Sequence, residues 1–144
     1  MQADLEALFP SLIGSGYRRT SLPTIEYNCI AWAAGEARGW WEPDPYGLWY
    51  WPPGAPRAYT QKGYIAAFAS RGYTRCKDAD LRDGYEKIAI YVLNGFPQHA
   101  ARQLRSGIWT SKLGDLDDIS HSLSALEGDR YGTPRIFMQR KLEA

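Results

Sequence analysis

Two cysteines and two histidines in 144 residues leave little material for metal chemistry. Cys29, Cys76, His99 and His121 form no C-x-x-C and no H-x-x-x-H pair, and the H-x-E…P-C-x-x-C pattern of the zinc deaminases is missing. Nor do two cysteines make a disulfide framework. Phosphate-cradling glycine loops and a G-x-S-x-G nucleophile elbow are absent. Charge of one sign is lacking too: 17 basic side chains against 16 acidic ones give a net charge of +1. Neither nucleic acid nor a membrane is therefore an expected partner. No apolar run approaches the roughly 20 residues that a spanning helix needs. The start, "MQADLEALFPSLIGSG", carries an early Asp and Glu instead of a cationic, then apolar, secretion signal. The expectation is a cytoplasmic product, any action outside the cell needing a route without a signal peptide. No cofactor is expected.

What is present is aromatic. Of six Trp and ten Tyr in the chain, four Trp and three Tyr lie in "GWWEPDPYGLWYWPPGAPRAY", residues 39–59, where five prolines exclude a regular helix. The stretch reads as a long loop pinned by Trp40, Trp41, Trp49, Tyr50 and Trp51. A loop of that length is either a binding surface or a satellite core, and one loop can serve both.

The chain length suits one domain, residues 1–144. "QADLEALF" predicts a short helix stopped by Pro10. Asn28 reads as the N-cap of a helix carrying Ile30, Ala33, Ala34 and Ala37, ending near Gly39. "TQKGYIAAFASRGY" predicts a further helix capped by Thr60. "KIAIYVL", residues 87–93, is a strand leading into an Asn94-Gly95 turn. "HAARQL", residues 99–104, and "IWTSKL", residues 108–113, are the next strands. "DLDDISHSLSALEG" predicts a helix with acids in its first turn, and "TPRIFMQRKL" a last strand. Helices first and an antiparallel sheet afterwards give an α+β expectation.

Among chemistry-bearing groups, a thiol and an imidazole survive. Cys29 stands at the head of a helix, where unpaired N–H groups stabilise thiolate over thiol. Its Asn28 neighbour could face an oxyanion on a substrate carbonyl. The competing reading makes "CIAWAA" plain core, since free cysteine is often buried. Cys76 sits in the polar run "TRCKDAD" and lacks such a setting. His99 supplies the base that a cysteine nucleophile requires, with His121 as the rival imidazole. If the two strands after Asn94-Gly95 pair through a turn near residue 106, His99 lies opposite Leu113. Ser111 and Asp115 are then its diagonal neighbours. Asp115, the carboxylate, is the preferred orienting group and Asp118 the reserve.

With this order assembled, the chain resembles the papain-like cysteine hydrolases, the group holding the NlpC/P60 and CHAP domains. "NCIAW" is similar to the CHAP nucleophile segment, and "GYEKIAIYVLNG" looks like the stretch in which those chains carry "H-V-[AG]-I-Y". The histidine of that stretch falls at Lys87, so His99 would serve from the next strand. The resemblance covers roughly residues 26–40 and 85–115. It implies N-terminal helices packed on an antiparallel sheet in a compact papain-like, NlpC/P60-like domain. It also implies a cysteine peptidase or amidase acting on a peptide or protein substrate, with Trp40, Trp41, Trp49 and Trp51 forming a cleft wall. The alternatives are an inactive binding module using the aromatic loop to hold a protein or glycan partner, or an inhibitor, and an acyltransferase using the same Cys–His pair.

Overall fold

The computed structural model describes residues 2–21, 27–35, 39–113 and 118–142. The described strands are β1 (Arg18–Ser21), β2 (Thr74–Cys76), β3 (Tyr85–Leu93), β4 (Phe96–Gln103), β5 (Trp109–Lys112), β6 (Asp118–His121) and β7 (Thr133–Lys141). They form one sheet in the order β1-β6-β5-β4-β3-β7-β2, with every pairing antiparallel. The described α-helices are short: α1 (Gln2–Leu8), α2 (Cys29–Ala33) and α3 (Gln61–Ala69) have seven, five and nine residues.

The α+β expectation of N-terminal helices packed on a sheet, with its papain-like and NlpC/P60-like assignment, is thereby overturned. The protein is a small β-rich domain. Strand β1 falls among the helices, and the acid-rich segment read as a helix instead supplies β6 and a 3-10 turn at Leu123–Leu126. The reason is tertiary. β6 fills the place between β1 and β5, pairing Trp109↔His121 through Lys112↔Asp118, and so satisfies backbone groups on both neighbours. It also buries Ile119 completely.

The central strands are covered on both faces, which explains why "KIAIYVL" is a nearly continuous apolar run rather than an alternating one. From β3, Ile88 and Ile90 join Ala100, Ile136 and Met138 beneath α2, α3, Trp41 and Trp51. Ala89 and Tyr91 join Ala101, Trp109, Ile119 and Leu126 beneath α1 and the Phe9–Leu12 turn. Each fully buried Ile, Leu or Phe contributes roughly 1.5–3 kcal/mol to folding. The Asn94-Gly95 turn closes β3 onto β4, with Leu93 opposite Phe96 and both turn residues at positive φ, 53° and 85°. That is the geometry a two-residue hairpin demands.

A cleft walled by aromatic rings

Asn28 caps α2 as its position suggested, its Oδ1 accepting the Ala31 N–H at 3.1 Å. It also pins the aromatic loop. The same oxygen accepts the Trp41 N–H at 3.1 Å, and Nδ2 donates to the Trp41 carbonyl at 2.6 Å. The side chain expected to face an oxyanion is thus engaged by its own chain. It places Trp41 beside the start of α2.

The loop divides its rings between core and surface. Trp41 and Trp51 are 3% and 5% exposed, Trp41 packing on Tyr50 and Trp51 on Tyr64. Trp40 is half-buried and stands against the exposed Trp49, ring centroids 5.8 Å apart. Asp44 organises the turn between them, accepting the Leu48 and Trp49 N–H groups and pairing with Arg57 at 3.0 Å. Burial pushes the Asp44 carboxyl up, but those N–H groups and Arg57 outweigh it and hold it below the ordinary value.

Cys29 is half-buried at the floor of a cleft of about 270 Å³. Trp40, Trp41, Tyr59, Tyr64 and Tyr131 supply five rings of its lining, and Glu42 supplies a carboxylate. Glu42 accepts Trp40 Nε1–H at 3.1 Å and the Tyr59 hydroxyl at 2.6 Å. Burial raises the Tyr59 phenol to about 12 and raises Tyr64 further, and the Glu42 charge adds to both shifts. The carboxylate is therefore felt across the cleft.

Burial also pushes the Cys29 thiol up, to about 11. The N–H groups of Ala100, Ile30 and Cys29 itself and the charge on Lys112 offset only part of that shift. A helix of five residues carries too short a dipole to do more. At neutral pH the group is a thiol.

The imidazoles lie elsewhere. His99 is opposite Tyr91 in the β3–β4 ladder, and alternation carries both to the sheet face away from α2 and Cys29. His99 is completely buried, stacked on Tyr131 at 4.2 Å and 6°. No hydrogen bond joins it to Cys29 among the described residues. It bonds instead to Ser111 Oγ through Nε2 at 2.9 Å, and Ser111 Oγ lies 2.6 Å from His121 Nε2. His121 Nδ1–H donates to the Ser122 carbonyl at 2.7 Å, so its Nε2 must accept the Ser111 hydroxyl. Ser111 Oγ then accepts His99 Nε2–H, and His99 Nδ1 is a buried acceptor without a partner. Burial holds both imidazoles neutral, with His121 down to about 4 and His99 also well below its ordinary value.

Of the proposed orienting groups, Ser111 is the one that touches His99. Asp115 lies outside the described residues. Asp118 sits on the Cys29 face, where its Oδ2 accepts the Tyr27 hydroxyl at 2.5 Å. Cys76 is half-buried on β2 and remote from the cleft lining. Lys87, at the place of the missing histidine, is buried and donates to the Asp78 carboxylate and carbonyl.

The sequence reading missed Glu42, Tyr59, Tyr64, Gln98 and Tyr131 as cleft residues. One signal for Glu42 was available, a carboxylate directly after two tryptophans in "WWEPD".

Neither a curated protein nor a solved structure matches the chain. Residues 18–139 match a family model, and that span takes in the cleft and nearly the whole sheet. The chain belongs to the family described as Domain of unknown function (DUF7689).

Proposed function

We propose that this domain is a binding module, and that the ring-walled cleft over Cys29 receives a group presented by a partner. One observation carries the reading. The thiol at the cleft floor is protonated, and both imidazoles are committed to Ser111 on the other face of the sheet. A cysteine hydrolase or acyltransferase needs a base within reach of its nucleophile. Five rings and few mobile side chains instead suit recognition, because aromatic walls supply contact area at low entropic cost. Cys29 then acts as a small apolar floor.

The test is alkylation by iodoacetamide, site by site, from pH 6 to pH 10. Cys29 should react more slowly than the same residue in urea-unfolded chain at every pH, and His99→Ala should leave its rate unchanged. Rapid modification near pH 6 that slows in His99→Ala would restore the hydrolase reading and sink this one.

A further inference from the structure

The cleft has rings on its walls and a negative charge on its rim. Its lining holds Trp40, Trp41, Tyr59, Tyr64 and Tyr131 with Glu42, and no lysine or arginine among the described residues. The Arg57 guanidinium touches the Glu42 backbone carbonyl, at 3.4 Å, and pairs with the Asp44 carboxylate. Glu42 accepts two hydrogen bonds, from Trp40 and Tyr59, and neither donor is a cation. Among the described residues its carboxylate forms no ion pair.

Ring faces attract cations through their quadrupoles, and the attraction grows as water is excluded. The molecule already uses this on the same ring system, since the Arg71 guanidinium lies 4.9 Å from the centroid of Trp41. A carboxylate set among five rings adds charge to quadrupole, and both favour the same occupant. The other surface hollows differ. Those beside Lys87, Tyr85 and His121, about 440, 500 and 540 Å³, each have at most one indole or phenol in their lining.

We infer that the cleft binds an alkylammonium group, with Glu42 as its counter-ion and Trp40, Tyr59 and Tyr64 against its methylenes or methyls. A cleft of about 270 Å³ suits one such group rather than an extended chain. The inference rests on the binding reading above and names its ligand class. A lysine side chain and a free methylated amine share this chemistry.

The test is a titration of the folded, full-length chain with three probes, read by ¹H–¹⁵N shifts and by the indole Nε1–H signals. The probes are tetramethylammonium, the tripeptide Ac-Gly-Lys-Gly-amide, and that tripeptide with its lysine acetylated. Tetramethylammonium or the lysine peptide should shift the Trp40 and Tyr59 signals saturably, and the acetylated peptide should bind at least about fivefold more weakly. Tighter binding of the lysine peptide marks a protein-borne lysine as the source, and tighter binding of tetramethylammonium marks a free amine. Glu42→Gln keeps an oxygen acceptor for Trp40, offers its amide N–H to the Tyr59 hydroxyl and removes the charge, so it should weaken the cations and leave the acetylated peptide alone. Equal binding of the charged and acetylated peptides, or no saturable shift with either cation, overturns the inference. The wild-type comparison stands whether or not the variant folds. The binding reading falls separately, on the thiol assay.

Discussion

The two faces of the sheet use polar groups in opposite ways. On the α1 side, His99, Ser111 and His121 form a buried string that ends on the Ser122 carbonyl. Each donor has been assigned an acceptor, and the single orphan is His99 Nδ1. On the α2 side, the Glu42 carboxylate lines an open cleft and accepts from Trp40 and Tyr59, with no ion pair among the described residues. A hydrogen-bonded buried network specifies structure, whereas a carboxylate at an aromatic surface favours a cationic ligand. The two imidazoles thus belong to the packing of the α1 side, and the proposed ligand site centres on a glutamate in a loop.

The comparison is tested most severely by truncating a ring that the open face shares with the core. Trp41→Ala removes a buried indole and its contacts with Tyr50 and Arg71, and should cost about 3–5 kcal/mol of unfolding free energy in urea. A loss below about 1 kcal/mol would mean that the loop is an appendage rather than part of the core.

The buried string predicts the next largest effect, in acid. His121 is held neutral down to about 4 by burial, whereas an unfolded imidazole takes up its proton near 6.5. A depressed imidazole gives stability that is complete above pH 6.5 and lost as pH falls toward 4. At 1.36 kcal/mol per pH unit, the loss from His121 is about 3 kcal/mol, and His99 works in the same direction. The lowered Asp44 and Asp78 carboxyls act below their ordinary 3.8, outside that window. Thermal melts between pH 7 and 4 check this, and His121→Asn should flatten the curve. A flat wild-type curve would mean that water reaches the string.

The smallest effect separates the faces. Ser111→Ala strips the hydroxyl between the two imidazoles and should cost about 1–3 kcal/mol in urea unfolding. Cys29 alkylation and alkylammonium binding should not change. If either moves, the faces are coupled through Tyr131, which stacks on His99 and also lines the cleft.

Local signals were legible where one residue suffices to impose a geometry. Asn28 caps α2, Thr60 caps α3 through the Gly63 N–H at 3.1 Å, and Asn94-Gly95 turns the β3–β4 hairpin. The antiparallel pairing that put Ser111 beside His99 follows from strand alternation and the short turn after β4, and the contact at 2.9 Å agrees with it. Within the segment 115–128, the described residues 118–128 were misread because the segment's acids and apolar spacing suit a first helical turn, while the place between β1 and β5 offered pairing that outweighs propensity.

By itself, then, the sequence determined the caps, the hairpin, the strands β3, β4, β5 and β7, and an aromatic loop too rich in proline to be helical. Each follows from interactions within a few residues. Only the tertiary structure decided that Cys29 and His99 lie on opposite faces, that a buried thiol stays protonated, and that Glu42 stands among five rings. Those outcomes depend on which side of a pleat a residue meets, and on the desolvation and neighbouring charges that a folded chain alone assembles.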